Sequence, residues 1–172
     1  MPNASCPVTE LSGRFWRILP ATADPLTPVR SAEGRFHHSG QDALYCSPSA
    51  QAAGYAVARY LRAGDAPRMA FPLLVRHARI ADLRQPATLD ALGLQGPEPA
   101  VPWLPERSLG LPATAWRASD AVRAAGASGM IYTARTAPDR WHLVLFCRNL
   151  PGAAQVSRDG PPLPHVPQHT PA

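Results

Sequence analysis

Every lysine-or-arginine position in this chain is an arginine: 17 guanidinium groups stand against 12 carboxylates, for a formal net charge of +5. A guanidinium presents a planar fork of donors that fits phosphate or carboxylate through paired hydrogen bonds, so binding of phosphorylated ligands is the first chemistry on offer. The arginines are scattered rather than gathered in a tail or stripe. Such a balance fits a phosphorylated small molecule, an acidic partner protein or nucleic acid. With its many Ala and Pro, it also fits a GC-rich genome. The remaining reactive types point away from metals and disulfides. Cys6, Cys46 and Cys147 are odd in number and far apart, with no CxxC pair, which argues against a disulfide framework and a structural zinc. Cys147 sits in an apolar run and reads as a buried thiol. His37 and His38 lack a carboxylate or cysteine at ligand spacing, so no metal is expected there.

The elements that would position these groups follow from the pattern of apolar residues. A chain of 172 residues, 45% hydrophobic, fits one domain with a sizeable core. No apolar run approaches the roughly 18–20 residues that span a bilayer. Met1–Glu10 has neither a basic start nor an apolar stretch, so no secretory signal is read and a cytoplasmic location is expected. Residues 15–19 and 43–46 read as short strands. Ser47 and Pro48 then make a suitable helix opening, a capping hydroxyl followed by a ring fixed at a helical φ. The helix should run to about Leu61, burying Ala53, Ala56, Val57, Tyr60 and Leu61 at spacings of three and four. Strands are suggested at 71–75 and 78–83, with Pro72 weakening the first as a central strand. A second helix is expected from Thr114 to about Ala125, then buried strands at 129–133 and 141–146. Residues 96–112 read as a long Pro-rich loop. The stretch from Pro151 reads as a flexible tail without its own core. The organisation is thus an extension over 1–13, a mixed α/β (α+β) domain over 14–150, and a Pro-rich tail over 151–172.

The most informative run is Gly34-Arg35-Phe36-His37-His38-Ser39-Gly40, followed by Ala43-Leu44-Tyr45-Cys46-Ser47. It resembles the RES-domain pattern, in which Gly-Arg, an aromatic, a polar residue and Gly precede a Leu/Val-Tyr-x-Ser strand. Arg17 in Phe-Trp-Arg-Ile fits the arginine of an earlier strand. Ile80-Ala81-Asp82-Leu83 resembles the strand ending in Asp-Leu, and Ala125–Arg135 the segment carrying a Ser before Ala-Arg. The closing strand His142-Leu143-Val144-Leu145-Phe146 is similar as well, so the likeness covers about 14–149. The resemblance implies an ADP-ribosyltransferase-like mixed fold of small sheets flanked by helices, binding NAD in a cleft. It also implies a toxin of a bacterial toxin–antitoxin pair, blocked by an Xre-like antitoxin. NAD, as substrate, would be cleaved at the nicotinamide–ribose bond by hydrolysis, phosphorolysis or ADP-ribosyl transfer, without metal. By the same resemblance Arg17 and Arg35 would contact phosphate or ribose and Tyr45 would pack on the nicotinamide. Thr133 would take the role of the family Ser, and His37 replaces a common Asn as a polar contact.

NAD carries a cationic leaving group, so its cleavage needs no strong acid. It does need support for an oxocarbenium-like transition state. The family's glutamate for that task lies on the helix after the tyrosine. Eleven residues past Tyr45 stands Ala56, and no Asp or Glu occurs between Asp42 and Asp65. Losing one well-placed electrostatic stabiliser costs about 3–4 kcal/mol, roughly 10²–10³ in rate. Three readings are therefore carried: an active NAD-cleaving protein whose carboxylate is Glu33, Asp42 or Glu106, a degenerate RES domain that binds nucleotide or partner without turnover, and a basic nucleic-acid-binding module. The last rests on charge alone.

Overall fold

In the computed structural model, which describes residues 5–167, the chain runs as strand β1 (Thr9–Pro20), β2 (Leu44–Cys46) and helix α1 (Ala50–Val57). A 3-10 turn over Ala58–Tyr60 leads to β3 (Arg68–Asp82), α2 (Pro86–Ala91), a second 3-10 turn over Glu98–Ala100, α3 (Trp103–Ser108) and α4 (Trp116–Ala124). The chain closes with β4 (Gly129–Ala134), β5 (Ala137–Leu145), β6 (Gln155–Arg158) and β7 (Leu163–Pro164). The expected mixed α/β architecture is observed as one seven-stranded sheet flanked by helices. Its main path is β1-β3-β4-β5-β2, with β6 and β7 also on β3. Only the β3–β4 pair is parallel among those described. A backbone bridge between Trp16 and Ser47 ties β1 to the residue after β2, so the path returns toward its own start.

β3 merges the two strands expected around Pro72 and His77. Trp16 and Pro72 are register partners across the β1 pair. The Pro72 carbonyl accepts from Asp159 N at 2.9 Å on the other side, where β6 reaches only Leu73 and β7 begins at Ala70. A strand residue's N–H and C=O point to the same side, so the donor that proline lacks falls in the interruption between two partners. At His77 the chain takes φ +54°, and its N–H donates to Ser12 Oγ at 3.0 Å, where β1 shifts register.

Two apolar clusters cover the two faces of the sheet. One gathers Phe15, Leu73, Val75, Ile80, Ile131 and Leu143; the other sets Phe36, Met130, Tyr132 and Val144 against Ala118 and Val122 of α4. Each fully buried side chain of this size contributes about 1.5–3 kcal/mol.

Several expectations are corrected. Thr9–Leu11 pair with Ala78–Ile80, so residues 9–13 belong to the sheet and not to an extension. The tail is ordered through Pro164: β6 and β7 hydrogen-bond to β3, and Val156 is buried. Residues 168–172, the rest of that tail, lie outside the described ones. The 96–112 loop carries a 3-10 turn and α3. The cap of α1 is Ser49, whose Oγ accepts from Ala52 N at 3.0 Å, and not Ser47. α1 is rolled so that Ala53 and Gly54 face the body, while Ala56 and Tyr60 are exposed. The close fit is at Gly54, where a Cβ would lie 3.2 Å from His165 Cε1. Cys147 is exposed, because it follows the last buried residue of the closing run. No helix among the described residues is long and apolar enough to cross a membrane.

Candidate active site

The Gly34–Gln41 loop carries the most distinctive motif, and α4 pins it to the core. Trp116 Nε1 donates to the Gly34 carbonyl at 2.8 Å, and Arg123 donates to the carbonyls of Phe36 (3.1 Å) and Asp42 (3.0 Å). Phe36 is fully buried, its ring edge-on to Tyr132 at 4.6 Å. Gly34 is required by close approach: a Cβ there would stand 2.2 Å from His37 Cε1. Pinned in this way, Arg35 lies over the rings of Phe36 (4.8 Å) and Tyr132 (5.0 Å). Its Nη2 donates to the Pro99 carbonyl at 2.8 Å and to that of Thr133 at 3.5 Å. Burial lowers its pKa, but a guanidinium stays charged at neutral pH.

Tyr45 and His37 form a closed hydrogen-bond chain. The Tyr45 hydroxyl accepts from Phe36 N at 3.0 Å, which directs its own proton to His37 Nδ1 at 2.9 Å. His37 Nε2–H then donates to the Ser31 carbonyl at 3.0 Å, so the imidazole is neutral in this tautomer. Burial works the same way, pushing the His37 pKa down and the Tyr45 pKa up. The ring of Tyr45 remains available to a ligand while its hydroxyl is held.

Arg35, His37 and Tyr45 border a cleft of about 1530 Å³ between α1, the loop before β2, the start of α3 and the β4–β5 hairpin. Five guanidiniums line it: Arg35, Arg59, Arg62, Arg135 and Arg140. Among the described residues its single lining carboxylate is Glu33. Glu33 is gripped by Arg107, whose Nε and Nη2 donate to its two oxygens at 3.0 and 2.9 Å and hold its pKa down. Asp42 pairs instead with Arg148, and Glu106 accepts from Thr114 N and Oγ1, both away from the cleft lining. Ala56, eleven residues past Tyr45, does line the cleft.

Two of the expected site residues are not brought to the cleft. Arg17 is 6% exposed and braces the loop after β1, donating from Nη1 to the carbonyls of Pro25 (2.5 Å) and Thr27 (2.8 Å). Burial lowers its pKa to about 10. Thr133 pairs with Trp141, whose ring lies against Phe15 on the opposite face of the sheet. Only its carbonyl meets Arg35.

Its neighbour Tyr132 faces the cleft instead, and so does Tyr132's cross-strand partner His142. Neither was singled out by the motif, though period-two alternation along β4 carries the signal. His142 Nδ1 lies 2.8 Å from Ser47 Oγ in a buried contact, and desolvation, with Arg35 and Arg140 nearby, lowers its pKa to about 4. At the rim, Arg140 stacks on Tyr55 at 3.6 Å and Arg59 on Tyr60 at 4.7 Å. His37 and His38 face apart: the latter reaches Asp120 at 3.0 Å and stacks on Trp116.

A cleft of guanidiniums and aromatic rings, hung on a mixed sheet behind a Gly-Arg loop, is the setting in which the comparisons with known proteins fall. The RES domain family model matches residues 14–168, and the chain belongs to that family. No curated protein sequence matches it. Among solved structures it is similar to a chain of the M. tuberculosis MbcT–MbcA toxin–antitoxin complex. There the TM-score is 0.65 at 20% identity, over 93% of this chain and 87% of that one. At that identity the likeness is one of fold.

Proposed function

We propose that this RES-domain protein is toxin-like, and that its cleft binds NAD and cleaves it at the nicotinamide–ribose bond. The observation that carries this reading is the convergence of Arg35, Tyr45, Tyr132 and His142 on one cleft holding five guanidiniums and one ion-paired carboxylate. An excess of fixed donors selects an anionic ligand, and a diphosphate accepts from guanidinium forks in pairs. Aromatic faces at the same wall suit the flat nicotinamide and adenine rings. Arg35 would bind phosphate or ribose, and Tyr45, held by His37, would pack on the nicotinamide. Glu33 is the carboxylate available to steady positive charge on the ribose. Its bidentate grip by Arg107 fixes its charge and weakens its field. Arg17 and Thr133 act, on this account, by shaping the walls without touching the ligand. Hydrolysis, phosphorolysis and ADP-ribosyl transfer share the bond that breaks and differ in the acceptor. An Xre-like antitoxin covering the cleft, and a cytoplasmic setting, go with this reading.

Purified protein incubated with NAD should release nicotinamide above a heat-killed control, and Arg35→Ala should abolish the release. No release from the folded wild-type protein would overturn cleavage. One observation favours a second reading, binding without turnover: α1 presents no acid to the cleft, and the one lining carboxylate is already paired. Nucleic acid is disfavoured, since these guanidiniums line a hollow and form no stripe.

A further inference from the structure

We propose that His142 is the proton acceptor for water in this cleft, with Ser47 as its positioning residue. The inference rests on the NAD-cleaving reading and names the group that would activate its nucleophile. β5 brings His142 into register with Tyr132, with ring centroids 5.6 Å apart, and both side chains line the cleft. One ring nitrogen, Nδ1, is fixed by Ser47 Oγ at 2.8 Å. The other, Nε2, makes no hydrogen bond among the described residues and is not among their fully buried unpaired atoms, so it is accessible from the cleft. Arg35 and Arg140 both act on this ring. Beside two cations, a lone pair on Nε2 is favoured over an N–H, so the preferred tautomer has Nδ1–H donating to Ser47 and Nε2 open to the cleft.

The surroundings give that lone pair its significance. The five lining guanidiniums donate only, the Tyr45 hydroxyl is committed to His37, and Glu33 is committed to Arg107. His165 Nε2 is also unpaired but fully buried, with its ring against Gly54, so His142 Nε2 is the uncommitted neutral acceptor open to the cleft. Ser47 stands at the bridge that joins β1 to the end of β2, a rigid point of the sheet, and its hydroxyl is free for this task because Ser49 caps α1.

Water oxygen bonds to C1′ of the nicotinamide ribose while the bond from C1′ to the pyridinium nitrogen breaks. The electron pair of that bond stays on the departing nicotinamide, which leaves neutral. The proton lost by water passes to His142 Nε2 and then to solvent, giving nicotinamide, ADP-ribose and one proton. Water bonding to an oxocarbenium-like carbon becomes strongly acidic, so an imidazole of low basicity suffices. Burial keeps this imidazole neutral well below pH 6.5, ready to accept at neutral pH. Phosphate dianion, in contrast, arrives with its charge and needs no base.

The test measures nicotinamide release by the full chain in phosphate-free buffer and with added phosphate, for wild type, His142→Asn and Ser47→Ala. Asn retains a donor near Nδ1 for Ser47 and removes the cleft-facing nitrogen. The water reaction of His142→Asn should fall roughly 10²-fold, in the range typical of general-base catalysis, while the phosphate reaction changes by no more than a few-fold. Ser47→Ala should show the same selectivity with a smaller drop. Wild-type hydrolysis should be flat from pH 5 to 8, without the limb near 6.5 of an ordinary histidine. Equal losses with both nucleophiles, a limb near 6.5, or phosphorolysis without hydrolysis in the wild type would overturn the assignment. No release with either nucleophile in the wild type would instead overturn the cleavage reading itself.

Discussion

Arg35 and Arg17 show how one side chain can serve two opposite purposes. Arg17 is buried and Arg35 half-buried, and both donate to backbone carbonyls, yet Arg35 borders the cleft and Arg17 does not. The motif placed both at the ligand, because a sequence reveals that an arginine is present and not which carbonyls curl back to meet it. Replacing Arg17 with Met leaves two carbonyls without their donor, a loss of about 1–3 kcal/mol each in a buried setting. Arg17→Met should therefore lower the melting temperature while the folded protein keeps its affinity for NAD. Loss of NAD affinity with unchanged stability would return Arg17 to the site. The convergence of Gly34, Arg35 and Tyr45 on one wall was legible for a local reason: close approach to His37 and a fixed loop are written within a dozen residues. Thr133 was not, since one step along a strand reverses the face, and Tyr132 is the residue turned to the cleft.

At the scale of elements, α1 and the C-terminal strands hold the larger lessons. The helix was legible from its small apolar residues, but its cap, Ser49 in place of Ser47, and its roll were not. Gly54 against His165 sets the roll, and His165 is more than 100 residues away, on a segment read as tail. β6 and β7 have few apolar residues of their own, so composition hides them; they form because β3 offers a free edge to pair with. The roll places Ala56 on the cleft wall. A carboxylate there would face guanidiniums across open space, without a burial penalty. Ala56→Glu should raise nicotinamide release by tenfold or more, recovering part of what one electrostatic stabiliser supplies. No gain, in a variant of unchanged fold, would mean that the cleft has diverged beyond its missing acid.

For the whole molecule, the fold class was legible because strand and helix signals alternate along most of the chain. The joining of seven strands into one sheet was not, since it depends on long-range pairs such as Trp16 with Pro72. That joining brings a loop, a helix and a hairpin around one hollow, and turns a scattered arginine composition into a concentrated field. Whether NAD is turned over or only held, the account requires that it sit in this hollow and depend on Arg35. Isothermal titration of the full chain with ADP-ribose, which keeps the diphosphate of NAD and lacks the bond that breaks, tests that requirement directly. A single site should appear and weaken by an order of magnitude or more in Arg35→Ala, as expected for a charge-assisted contact of about 1.5–3 kcal/mol, with the circular dichroism spectrum unchanged. Equal affinity in wild type and Arg35→Ala, or no binding heat from the wild-type protein, would contradict it.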